Sequence, residues 1–231
     1  MNYPFNFLYR DLLIAIFEKL DFQAQTNLKQ SCHDFYMNLK VTNLYDLPFK
    51  YKPKLTDSIL SSTQFQNITK LNLSYNENVT DEGIKNLTNI TKLNLSHNEN
   101  VTDERIKNLT NLRKLNLSFD HNITDDGIKN LTNLRKLNVY FNHNITDIGI
   151  KNLTNLQDLN VSYSKNITDK GIKNLTNLQK LNASGNEKIT DKGIKNLINL
   201  RILYASDNRK ITYNGIKNLP KLEKYIHGIM E

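Results

Sequence analysis

One cysteine and five histidines are a thin stock for catalysis in a chain of 231 residues. Cys32 falls on the apolar face of a predicted short helix, where a thiol reads as a small inert hydrophobe. A nucleophilic cysteine needs exposure and an electropositive setting instead. His121 and His143 are 22 residues apart. If that spacing is one structural repeat, their rings lie about 5 Å apart. Two imidazoles so placed could share a metal, but no third ligand accompanies them, and a solvated pair is expected. No Ser/His/Asp constellation and no glycine-rich phosphate loop stands out. The chemistry expected is recognition, with no catalytic residue, metal or cofactor.

Three columns of residues could do the recognising. Lys70, Lys92, Lys114 and Lys136 recur every 22 positions, followed by Asp158, Lys180 and Ile202. Uncompensated cations lining a groove would draw an acidic partner. A second series, Lys85, Lys107, Lys129, Lys151, Lys173, Lys195 and Lys217, resembles a nucleic-acid stripe. Asp81, Asp103, Asp125, Asp147, Asp169 and Asp191 precede the first six by four residues, the favourable helical ion-pair order, so a solvated face is expected and no nucleic acid. The third column reads Tyr75, His97, Phe119, Phe141, Tyr163, Gly185, Asp207. Leucines already fill the interior, so these rings should lie at the rim of a sheet, either stacking on one another or presenting anchors to a partner. With the lysines beside them, that partner should be acidic and partly apolar.

What positions the columns is a repeat. Leu71, Leu93, Leu115, Leu137, Leu159, Leu181 and Leu203 are each 22 residues apart, and Tyr225 takes the next slot. Such a period marks a solenoid, each unit forming one coil. Within a coil, Leu71 and Leu73 alternate with Lys70, Asn72 and Ser74 at strand period. Thr80-Asp81 opens a short helical turn capped by side-chain oxygen. Val79, Ile84 and Leu87 fall on the return path. The residues ending the strands, Asn76, Asn98, Asp120, Asn142, Ser164, Asn186 and Asn208, should satisfy backbone groups of the neighbouring coil. Asp120 and Ser164 lack amide donors, so their coils should be the weaker rungs. A glycine column from Gly83 to Gly215 is broken by Arg105; the glycine is read as leaving room, unless the position needs positive φ. Leu44, Leu47, Phe49, Leu55, Thr56 and Asp57 match the next coil at an offset of 24, which centres a first strand on Leu47.

Composition agrees with such an architecture. Hydrophobic residues make up 38% of the chain, 36 residues are asparagine and the net charge is +8. A solenoid buries only a narrow apolar strip per coil and leaves many turn positions for amides. A lone cysteine excludes an internal disulfide and suits a reducing compartment. The opening residues lack a basic start, an apolar stretch and a small-residue cleavage site, so an intracellular rather than secreted protein is expected. No apolar run is long enough to span a bilayer.

The pattern Leu-x-x-Leu-x-Leu-x-x-Asn resembles leucine-rich repeats over residues 44–231. Asn76-x-x-Val79-Thr-Asp-Glu-Gly-Ile84 is similar to the repeats of F-box/leucine-rich-repeat substrate receptors, with Asn in their Cys slot. The short 22-residue unit also resembles the internalin type. Residues 1–43 resemble an F-box: Leu8-Tyr-Arg-Asp11-Leu12-Leu13-Ile-Ala-Ile16-Phe17-Glu-Lys-Leu20, with Cys32, Phe35 and Leu39 in the slots for its cysteine, aromatic and final leucine. Tyr9 replaces the signature proline and Asp11 a glutamate. The resemblance implies a right-handed α/β solenoid, a parallel sheet on its concave face and short helices or turns on its convex face, preceded by a three-helix F-box-like segment. It also implies a non-enzymatic substrate-recognition subunit of a cullin-RING ubiquitin ligase, docking a Skp-type adaptor through Leu8, Leu12, Leu13, Ile16 and Leu20. Two alternatives stand beside it: a plain scaffold whose helices only cap the solenoid, and a secreted internalin-like adhesin.

Overall fold

The computed structural model describes residues 41–47 and 49–228. Leu8, Leu12, Leu13, Ile16, Leu20 and Cys32 lie outside the described residues. Among the described residues nine strands form one parallel sheet in chain order: β1 (Asn43–Leu44), β2 (Lys70–Asn72), β3 (Lys92–Asn94), β4 (Lys114–Asn116), β5 (Lys136–Asn138), β6 (Asp158–Asn160), β7 (Lys180–Asn182), β8 (Ile202–Tyr204) and β9 (Lys224–Ile226). Like residues stand opposite one another, Leu71 by Leu93 and Leu93 by Leu115. Helices of one turn carry the chain back on the other side: α1 (Asp57–Leu60), α2 (Asp81–Ile84), α3 (Asp103–Ile106), α4 (Asp125–Ile128), α5 (Asp147–Ile150), α6 (Asp169–Ile172), α7 (Asp191–Ile194) and α8 (Tyr213–Ile216). Between sheet and helices runs a continuous apolar strip. Each coil supplies a set such as Leu71, Leu73, Val79, Ile84, Leu87 and Ile90, all fully buried.

The first strand is not where the offset of 24 put it. Leu44, not Leu47, stands opposite Leu71. Both leucines are buried, so the apolar pattern alone did not choose between them. The backbone chose: Thr69 N–H donates to Thr42 O at 2.8 Å. The added length is taken up by a 3-10 helix over Phe49–Lys54, after which Leu55, Thr56 and Asp57 hold their expected places.

Side chains tie coil to coil through two ladders. In the first, Asn98 Nδ2 donates to Asn76 O at 2.8 Å while its Oδ1 accepts from Asn100 N at 3.1 Å and Val101 N at 3.0 Å. Asn76, Asn142, Asn186 and Asn208 likewise donate to carbonyls of the preceding coil, whereas Asp120 Oδ2 has no partner. In the second, Asp81 Oδ1 and Oδ2 accept from Thr102 N and Oγ1 at 2.9 and 2.6 Å, and the same pair recurs down to Asp191 and Thr212. Those aspartates were expected to pair with lysines four residues on. Instead they bind the next coil, and Lys85, Lys107 and Lys129 reach Glu82, Glu104 and Asp126 at i,i+3, over 2.5–2.7 Å. An aspartate facing a threonine hydroxyl and amide makes two charge-assisted bonds, part-buried in most coils, whereas the exposed lysine gives it only a screened contact.

The glycine column follows from the second ladder. A Cβ on Gly149 would stand 2.4 Å from Asp125 Oδ1, so the residue leaves room for the aspartate of the preceding coil. Arg105 occupies that slot in α3, and its Nε is buried without a hydrogen-bond partner. Restoring glycine removes an orphan donor worth about 1–3 kcal/mol and costs about 1 kcal/mol in helix propensity. Arg105→Gly should therefore raise the free energy of urea unfolding by a net of about 1 kcal/mol and move the midpoint upward; an unchanged or lower midpoint would show that the arginine is accommodated without penalty.

Candidate partner-binding face

At the end of each strand the chain turns back, and the turn puts a ring on the surface. Asn76 N–H donates to Leu73 O at 3.1 Å, closing a four-residue turn in which Tyr75 is third. That place takes a positive φ: 57° at Tyr75, 53° at His97, 55° at Phe119, 53° at Phe141 and 56° at Tyr163. Bulky side chains rarely adopt this region, at a cost of roughly 1–2 kcal/mol each. Stacking offsets part of it. Tyr75 and His97 lie 4.3 Å apart with planes 15° from parallel, and His97 and Phe119 4.5 Å apart at 19°. The column loosens to 5.4 Å between Phe119 and Phe141 and 6.1 Å between Phe141 and Tyr163. Phe49 meets Tyr75 edge-on at the front, and Tyr163 leans over Gly185 to donate its hydroxyl to Asp207 Oδ2 at 3.1 Å. The column is stacked yet not sealed: Tyr75 is 50% exposed and Phe141 40%.

The column shows in the sequence as aromatics at a fixed spacing, while its backbone conformation and its neighbours do not show directly. The signal for the backbone is that Gly185 and Asp207 share the slot and are the types that tolerate positive φ. Tyr140 is one such neighbour. It replaces the serine of other coils and packs edge-on against Phe119 at 5.0 Å, and against Phe141 and Tyr163 at 5.9 Å each. Phe119, Tyr140, Phe141 and Tyr163 thus form one aromatic cluster at the ends of β4, β5 and β6.

The lysine column stands in register on the same sheet, Lys70 beside Lys92, Lys92 beside Lys114, Lys114 beside Lys136. Its charge is less free than expected. Lys136 pairs with Asp158 at 3.1 Å, and Lys92 Nζ lies 3.3 Å from the centre of the Tyr45 ring. Burial holds the Lys92 ammonium below its usual range; Lys114 and Lys70 add to this, and Asp46 opposes it. Lys70 and Lys114 remain exposed. His121 and His143 are exposed, and among the described residues no group of three or more His, Cys, Asp or Glu could hold a metal. Among the described residues no helix is long and apolar enough to cross a membrane.

A leucine-rich repeat profile matches residues 66–88, 86–104, 108–131, 130–153, 152–175 and 174–198, more than half of the chain. The chain belongs to the leucine-rich repeat family. Its solenoid is similar to internalin C2 of Listeria monocytogenes, with a TM-score of 0.60 and 30% identity over 82% of this chain and 77% of that one. A second internalin from that bacterium matches at 0.60 and 29% identity, over 83% and 60% of the two chains. A chain of the yeast Rad7–Elc1 complex matches at 0.55 and 20% identity, over 74% and 51%, a likeness of fold alone. Among curated proteins none matches significantly. Leucine-rich repeat solenoids are non-catalytic scaffolds for contact between proteins, and this chain is such an interaction module.

Proposed function

We propose that this leucine-rich repeat protein grips an acidic, partly apolar protein along the strip formed by Tyr75, His97, Phe119, Phe141 and Tyr163, with Lys70, Lys92, Lys114 and Lys136 beside it. The observation that carries this reading is the row of rings held at positive φ, with Tyr75 and Phe141 exposed and the rings between and beyond them partly exposed. Glycine closes the same turn without strain at Gly185, so the coils that carry rings there keep strained backbone and exposed apolar surface together. Exposed aromatics on a rigid scaffold are what a partner uses as anchors.

A finer reading concerns residues 1–43. Their resemblance to an F-box supports a substrate-recognition subunit of a cullin-RING ligase, acting inside the cell and docking a Skp-type adaptor through Leu8, Leu12, Leu13, Ile16 and Leu20. The single thiol of the chain supports the reducing compartment.

Proximity labelling with the full chain tests both. A Phe119→Gly/Phe141→Gly variant removes two rings while easing the backbone, so its circular dichroism should match wild type. It should lose at least tenfold of the labelling of the partners that wild type enriches. Equal labelling would remove the ring strip from the reading. In the same experiment a Skp-type adaptor should label with wild type and fall away with Leu12→Ala/Ile16→Ala; no adaptor in the wild-type set sets the F-box reading aside and leaves the plain scaffold.

A further inference from the structure

The residues just before the lysine column read Thr69, Thr91, Arg113, Arg135, Gln157, Gln179, Arg201 and Glu223 down the sheet. Arg135 N–H donates to Arg113 O at 2.9 Å, so the two arginines are neighbours on adjacent coils. Like charges at matching positions of adjacent coils repel unless an acid lies between them. Arg201 has such relief from Glu223 at 3.6 Å. Among the described residues no carboxylate pairs with Arg113 or Arg135. Both are exposed, and with Asn133, Asn155, Gln157 and Asn177 they line a polar trough of about 420 Å³. Asn133, Asn155 and Asn177 each spend one amide hydrogen on the carbonyl of Thr110, Thr132 or Thr154, at 3.0, 2.9 and 2.9 Å, which fixes their orientation. Lys114, next in the chain to Arg113, is exposed as well.

We propose that Arg113 and Arg135 form an anion site for a doubly charged oxyanion on the partner, a phosphomonoester or two adjacent carboxylates. This rests on the partner-gripping reading and gives its acidic partner a place. Two planar guanidiniums present parallel N–H donors that match such a group bidentately, and bridging it relieves their mutual repulsion. The same two coils carry Phe119, Tyr140 and Phe141 at the far ends of β4 and β5. A segment laid along these strands therefore meets cations first and rings last.

The test is an NMR titration of the full chain, following the arginine Nε–H signals at constant ionic strength. The probes are inorganic phosphate, the peptide Gly-phosphoserine-Gly and the peptide Gly-Asp-Asp-Gly. Arg113 and Arg135 signals should shift saturably, with affinity at least tenfold weaker in Arg113→Gln/Arg135→Gln and unchanged in Arg201→Gln. Tighter binding of the phosphopeptide assigns the phosphomonoester, and equal or tighter binding of the aspartate peptide assigns the paired carboxylates. Signals that do not move with any probe, or an equal loss in Arg201→Gln, would overturn the site. Phe119→Gly/Phe141→Gly should titrate as wild type does, so the anion site and the ring strip fail separately.

Discussion

Asp120→Asn should stabilise the protein at pH 7.5 by about 3 kcal/mol and leave it nearly unchanged at pH 4. Asp120 sits in the asparagine ladder, fully buried. Its Oδ1 accepts from Asn122 N at 2.9 Å and Ile123 N at 2.8 Å, as an asparagine would. Its Oδ2 has no partner. In neighbouring coils an amide at that place donates to the preceding coil's carbonyls, as Asn142 Nδ2 does to Asp120 O at 2.7 Å. Burial pushes the Asp120 carboxyl up from 3.8 to about 6; the amides of Ile123 and Asn122 and the charge of His121 oppose the rise, and Asp103 adds to it. The folded state thus holds this proton more tightly than the unfolded chain. The stability it contributes is complete below pH 3.8, falls as pH rises, and is lost above about 6. Asparagine has no such dependence. Urea unfolding of both proteins across this range isolates the site, because every other group is common to the two. Curves whose separation stays flat from pH 4 to 7.5 would show that Asp120 is not an unpaired buried acid.

Removing a ladder amide should be strongly damaging in the middle of the solenoid. Asn142 Nδ2 donates to Leu117 O at 3.3 Å and Asp120 O at 2.7 Å, and its Oδ1 accepts from Asn144 N at 2.9 Å and Ile145 N at 3.0 Å. All four bonds are closed to solvent or nearly so. Asn142→Ala leaves buried backbone groups unpaired, at about 1–3 kcal/mol each before relaxation, so a loss of about 4 kcal/mol is expected. Asn155 makes one exposed bond, to Thr132 O at 2.9 Å. Asn155→Ala should therefore cost under about 1 kcal/mol. Because coils touch only their neighbours, hydrogen-exchange protection should drop first around β4 to β6 in Asn142→Ala. Equal losses in the two variants would mean that the apolar strip, and not the ladder, holds the coils together.

These two sites also explain a composition so rich in asparagine. Buried Asn98 and Asn142 tie turn to turn, while Asn100, Asn111 and their counterparts bond carbonyls of the preceding coil from the surface. Asn94, Asn116 and Asn138 accept from the amide two residues on. A coil of 22 residues has little helix or sheet to satisfy its own backbone, and the amide side chain can donate and accept at once.

The period, the strands, the capped one-turn helices and the asparagine ladder were legible because each depends on residue type at a fixed spacing, repeated until chance is excluded. The glycine column was legible in its simpler reading, as room for a neighbour. The start of the sheet was less so: Leu44 and Leu47 are equally apolar, and only pairing with Thr69 and Leu71 selects between them. Nor does sequence spacing show that Asp81 turns to Thr102 and not to Lys85, because the competing partners lie on different coils. The ring column was visible as a list of aromatics, and its exposure, stacking and positive φ belong to the turn geometry alone. The clustering of Tyr140 with Phe119, and of Arg113 with Arg135, is likewise a matter of neighbours one coil apart. By itself, then, the chain's sequence determined the architecture, since a repeated local pattern permits one way of stacking. Tertiary structure decided which side chains meet across coils, because those contacts depend on distances that no single coil contains.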